Sequence, residues 1–247
     1  MLDSTVHHRR TLVVALASVV IALALWRAEQ FSFILYPLRL FVTFIHESGH
    51  GLAAITTGGT LHGFTVSPSG IGVATTSGGW YWLIVPAGYL GAALFGAGLF
   101  FLANSVHRTR RISGGLALLV AGMALFYTQW LSTAWFVGLL SAAVLALLAW
   151  KGGRELNLAA LNVLAVLCSL NAVVDLFGLV SNSGVSIGDL RNDAVVFSQT
   201  FMPIFPPWLI ALSWAVIALA LLALAFWYSL GQRIRETVDQ AYRDIKR

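Results

Sequence analysis

The sequence predicts an all-α polytopic membrane protein, with about six or seven transmembrane helices and a small β-hairpin after the second of them. Three observations predict it. Of the 247 residues, 58% are hydrophobic and only 10% charged, whereas a water-facing domain usually carries about 25% charged residues. Apolar runs recur along the chain, each near the roughly 20 residues that cross about 30 Å of hydrocarbon. Residues 59–79 differ from everything around them: they are rich in Gly, Ser and Thr and contain no Asp, Glu, Lys or Arg.

The apolar runs cover about 11–26, 33–57, 81–104, 113–128, 131–150, 156–180 and 207–230. His7, His8, Arg9 and Arg10 precede the first, which with Ala22 and Ala24 also reads as a cleavable signal peptide. In the third, Gly88, Ala92 and Gly96 are spaced four apart and line one face, which suits close helix packing. Within 59–79, β-branched residues flank Ser67-Pro68-Ser69-Gly70, so Pro and Gly set the turn of a hairpin. An uncharged hairpin can dip into the bilayer where protein covers its backbone; a plain connecting loop is the alternative. Residues 181–206 form a second long loop, with Asp189, Arg191 and Asp193 followed by Pro203, Pro206 and Pro207. We divide the chain into one membrane domain, 1–231, and a charged tail, 232–247, expected to form a short surface helix.

The formal net charge is +5. The basic residues sit in clusters between apolar runs and in the tail, as in charge-oriented membrane proteins. No basic stripe is interleaved with aromatics, so nucleic acid is not an expected partner; the lipid bilayer is. Seven crossings put Arg27, Arg108, Arg110, Arg111, Lys151, Arg154 and the tail on the cytosolic side. If 113–150 makes one net crossing, both termini are cytosolic. The tail is cytosolic either way, and the side of the hairpin stays open. The single cysteine, Cys168, lies in an apolar run and reads as a small core residue.

The chemistry concentrates in His46-Glu47-Ser48-Gly49-His50. Positions i and i+4 share a helix face, so His46 and His50 can bind one metal ion. Glu47 stands beside them, placed to take a proton from the attacking water and give it to the leaving amine. Two histidines and a glutamate within an apolar helix are costly unless partnered; a hydrogen-bonded packing cluster is the alternative reading. Catalytic zinc takes three protein ligands. Asp175 lies well inside an apolar segment, where a carboxylate needs a partner, and is the leading third ligand. Asn171, four residues earlier on the same face, could hold a substrate carbonyl or polarise an oxyanion; an Asn–Asp interhelical contact is the bland alternative. Asp193 competes as ligand, although an aspartate near the start of a short helix is also a routine N-cap. His62 is a further candidate, with a packing role as its alternative.

His46-Glu47-Ser48-Gly49-His50 in a membrane helix, the Gly-rich region 59–79, and Asn171 with Asp175 in a later helix resemble the site-2 protease family of intramembrane zinc metalloproteases. The compact branch without a PDZ domain is the most similar, through Gly58-Gly59 after the metal helix and the run Ala87-Gly88-Tyr89-Leu90-Gly91. The resemblance implies one zinc ion on His46, His50 and Asp175, with Glu47 as general base and acid. It implies a hairpin that holds an unwound substrate by strand addition. The partner implied is a transmembrane protein cut in or near its membrane segment, as in regulated intramembrane proteolysis at a bacterial plasma membrane. The sequence departs from the family in that the usual Leu-Asp-Gly is Val174-Asp175-Leu176. Family architecture also sets the metal in the cytosolic half of the membrane, whereas seven crossings put the hairpin end outside. Three further readings stay open: a scaffold or metal-binding protein that kept the fold without catalysis, a metal carrier, and a metal-dependent hydrolase of lipid or prenylated substrates.

Overall fold

A computed structural model describes residues 2–27, 32–106, 108–181 and 192–231. The proposed surface helix of the tail, together with Asp189 and Arg191, lies outside them. The chain runs through α1 (Leu2–Arg27), α2 (Ser32–Thr56), β1 (Thr60–Val66), β2 (Gly72–Ser77), α3 (Tyr81–Ile84), α4 (Ala87–Ser105), α5 (Thr109–Tyr127), α6 (Thr133–Lys151), α7 (Arg154–Ser181), α8 (Asp193–Phe201) and α9 (Pro207–Phe226). A π-helical turn, Trp227–Gly231, extends α9.

Among the described residues, four helices are long and apolar enough to cross a membrane: α4, α5, α6 and α9 with its π turn. The protein is therefore an integral membrane protein. At 25 residues α2 has the length as well, but Arg39, His46, Glu47 and His50 lower its hydropathy. The expected run 81–104 is not one helix. Pro86 divides it into α3 and α4, because proline lacks the N–H of the helical ladder and its ring clashes with the preceding turn.

α4 is the most enclosed of the four spans, and its small residues are the reason. An ideal Cβ on Gly49 would overlap the Ala87 carbonyl, and one on Gly91 would lie 3.4 Å from the Gly49 Cα, so α2 and α4 cross almost backbone to backbone. Further along α4, Ala92 is fully buried and Gly96 lies against Ala165 and Ser169 of α7. The stripe at 88, 92 and 96 thus serves two partners, α2 at one end and α7 at the other. At the far end Asn104 Nδ2 donates to Asn162 Oδ1 at 2.7 Å, a buried polar link between α4 and α7. Ala15 and Ala22 of α1 are buried in the same core as Cys168.

The expected hairpin forms. β1 and β2 pair antiparallel from Thr60↔Ser77 to Val66↔Gly72, with an irregularity between Leu61 and Gly63. Ser67 to Gly70 makes the turn: Gly70 N–H donates to the Ser67 carbonyl at 2.9 Å, and Gly70 takes φ 90°, which a glycine adopts without steric cost. The hairpin folds back along α2. Tyr36 Oη donates to the Pro68 carbonyl at 2.9 Å and Thr43 Oγ1 to that of Gly70 at 3.1 Å, and Phe64 meets Phe44 edge to face with centroids 5.0 Å apart. β1 also bridges Thr128. The second edge of β2 has no strand partner among the described residues.

Candidate metal centre

Helical spacing sets His46 and His50 on one face of α2, and the Nε2 atoms converge at 3.1 Å. The third group comes from 147 positions along the chain. Asp193 Oδ2 lies 3.0 Å from His46 Nε2 and 3.2 Å from His50 Nε2. Both imidazoles are buried and Asp193 is partly so.

The fold delivers Asp193 by packing α8 onto α9 and α4. Ala194 is fully buried in a cluster with Tyr89, Ile210 and Trp214, and Phe197 meets Trp214 edge to face at 5.6 Å. The cap of α8 is Asn192, whose side chain accepts from Ala194 N–H at 2.9 Å. Asp193 is the first helical residue, so its carboxylate is not spent on capping and points to the histidines.

The donor set fits a metal ion. His50 Nδ1 lies 2.7 Å from the Ile84 carbonyl, which can only accept, so Nδ1 carries a proton and Nε2 is the ring nitrogen left to bind a metal. Ile84 ends α3 just before the Pro86 break, which leaves its carbonyl to accept from His50. Nε2 of both histidines and Oδ2 of Asp193 converge on one point, where each could give a lone pair to a cation. The three sides of the triangle, 3.0, 3.1 and 3.2 Å, approach the separation of about 3.3 Å expected for neighbouring ligands in a tetrahedral zinc site. A ligating histidine whose other ring nitrogen donates to a carbonyl is also the common arrangement around zinc.

Glu47 is buried beside this triangle, within electrostatic reach of His46, His50 and Asp193. The hairpin holds it from the other side. The Ala74 backbone N–H hydrogen-bonds its carboxylate, and a Cβ on Gly72 would fall onto that carboxylate. Gly88 does the same for the histidines: a Cβ there would overlap Nε2 of both His46 and His50. Gly88→Ala is thus expected to weaken zinc binding about tenfold or more. Gly98→Ala, on the same helix but with open space around it, is expected to leave it unchanged. Zinc per purified chain measures both.

Asn171 and Asp175 lie in the backbone of α7, and their side chains fall outside the described residues. His62 is on β1, where it hydrogen-bonds Ser77 Oγ at 2.7 Å. Of the candidate third ligands, Asp193 is the one brought to the histidines among the described residues. The sequence reading did not single out Gly72, Tyr89 or Asn192. Tyr89 meets the His46 ring edge to face at 4.5 Å. Asn192 was legible as a cap, because asparagine ranks with aspartate at that position.

A profile of the Peptidase M50B-like family matches residues 14–225 of the chain. Neither a curated protein nor a solved structure matches it.

Proposed function

Because the chain belongs to the Peptidase M50B-like family of site-2 proteases, we propose that it is an intramembrane zinc endopeptidase that cuts a transmembrane protein in or near its membrane segment. The observation that carries this reading is the triangle of His46, His50 and Asp193 with the buried Glu47 beside it. His46, His50 and Asp193 would hold one zinc ion. When bound, zinc supplies a Lewis acid that lowers the pKa of water and polarises the scissile carbonyl.

The remaining work falls to side chains and backbone. Glu47 accepts the proton of the attacking water and passes it to the leaving amide nitrogen. Gly72 and the Ala74 N–H keep its carboxylate in place. The edge of β2 that has no strand partner among the described residues offers main-chain hydrogen bonds to an extended substrate segment, a mode tolerant of side-chain sequence. A helical peptide bond is shielded by its own turn, so the substrate unwinds before it is cut. Asn171 is the residue of α7 proposed to hold the substrate carbonyl. In the full topology about six or seven helices cross the membrane, the four apolar spans among them, and the C-terminal tail is cytosolic, in a bacterial plasma membrane.

The test is cleavage of single-pass reporters carrying helix-destabilising residues, co-reconstituted with the protein in liposomes. Chelation is expected to abolish cleavage and added zinc to restore it. Cleavage that continues at full rate in metal-depleted protein would refute the proposal.

A further inference from the structure

Asp193 is the one member of the triangle that does not sit on α2, and its placement depends on how the start of α8 is tied down. Asn192 makes that tie with both ends of its amide. Its Oδ1 accepts from the Ala194 N–H at 2.9 Å and caps α8. Its Nδ2 donates to Tyr89 Oη at 3.2 Å. Tyr89 is on α4, directly after the Gly88 that packs on both histidines, and its ring lies edge to face on His46 at 4.5 Å. On the other side it meets Trp214 of α9, with centroids 5.6 Å apart. The Tyr89 hydroxyl is thus attached to a ring held between the histidine helix and α9, and the amide of Asn192 joins that hydroxyl to the residue preceding the carboxylate.

We propose that Tyr89 and Asn192 are positioning residues for the metal centre: the Asn192–Tyr89 hydrogen bond fixes the start of α8, so that the Asp193 carboxylate stands preorganised against His46 and His50. The inference rests on Asp193 being a metal ligand. The physical reason for the device is the length of chain between the ligands. His46 and His50 are held by their own helix, whereas Asp193 follows a connection and reaches the site only through tertiary contacts. A ligand held in place before the metal arrives loses no conformational freedom on binding, and loosening such an outer partner commonly lowers metal affinity about 10- to 100-fold.

The experiment measures zinc affinity of the detergent-purified, full-length protein by competition with a chromogenic chelator, alongside the melting temperature of the metal-free form. Tyr89→Phe keeps the ring and removes only the hydroxyl. Asn192→Ser keeps a capping oxygen and removes the amide that reaches Tyr89. Each is expected to weaken zinc binding about tenfold, and the double variant to be no weaker than either single change by more than about twofold, because both remove one shared bond. The metal-free melting temperature is expected to stay at the wild-type value, which separates positioning from a general packing role. Wild-type zinc affinity in both single variants, beside a loss in Asp193→Asn, would overturn the positioning role and leave the ligand assignment standing. Multiplicative effects in the double variant would also overturn it, since the two residues would then act independently. Wild-type zinc affinity in Asp193→Asn would overturn the ligand assignment and this inference with it.

Discussion

Glu47→Gln is expected to keep zinc bound and to lower peptide cleavage by about 10²- to 10⁴-fold, the range a positioned general base contributes. Glutamine has nearly the shape of glutamate, so it still fits against Gly72 and still accepts from the Ala74 N–H. What it lacks is a basic oxygen to take a proton from water. Because the triangle of His46, His50 and Asp193 does not include Glu47, zinc per chain is expected at the wild-type value, which also verifies that the variant is folded. Cleavage by the variant at the wild-type rate would remove Glu47 as the base. The same variant separates the enzyme from a non-catalytic scaffold. A scaffold binds its partner equally well with either residue and releases no fragment in either case, whereas the protease retains the partner uncut only in the variant.

The second large effect concerns the third ligand. Asp193→Asn is expected to lower zinc affinity about 100-fold or more, since a neutral amide oxygen replaces an anionic ligand and cannot balance the charge of the ion between two neutral imidazoles. His46→Ala is expected to lose the metal altogether. Asp175→Asn, measured beside them, is expected to bind zinc as the wild type does. The asparagine is nearly isosteric at both positions, so lost folding does not mimic lost ligation. Zinc loss in Asp175→Asn with retention in Asp193→Asn would reverse the assignment and return the third ligand to α7. Equal losses would mean that both carboxylates act at the site.

The hairpin and the helix stripe show how local signals reach into the fold. Ser67-Pro68-Ser69-Gly70 between β-branched runs is a turn by short-range sterics, and the turn forms there. Gly88, Ala92 and Gly96 declare a close contact through their lack of bulk. The sequence could not say with what: α2 takes one end of the stripe and α7 the other. Pro86 was legible as a helix breaker in principle. Its consequence, a carbonyl of Ile84 left to orient His50, depends on α3 lying beside α2.

By itself the sequence determined the membrane class, through the scarcity of charge. It also determined the candidate metal-binding pair and the acid beside it, because His46, Glu47 and His50 are neighbours on one helix and their geometry follows from its 3.6-residue turn. The third group could be nominated but not chosen. Asp175 sits in an apolar run, where a carboxylate attracts notice, while Asp193 sits at a helix start, where aspartate is ordinary. That Asp193 meets the histidines is a matter of long-range packing. α8 docks through Ala194 and Phe197 onto Trp214, Asn192 takes the cap, and the Asp193 carboxylate is left facing His46. Only the tertiary structure decided that contact, because it joins residues 147 positions apart and no periodicity or propensity acts over that separation.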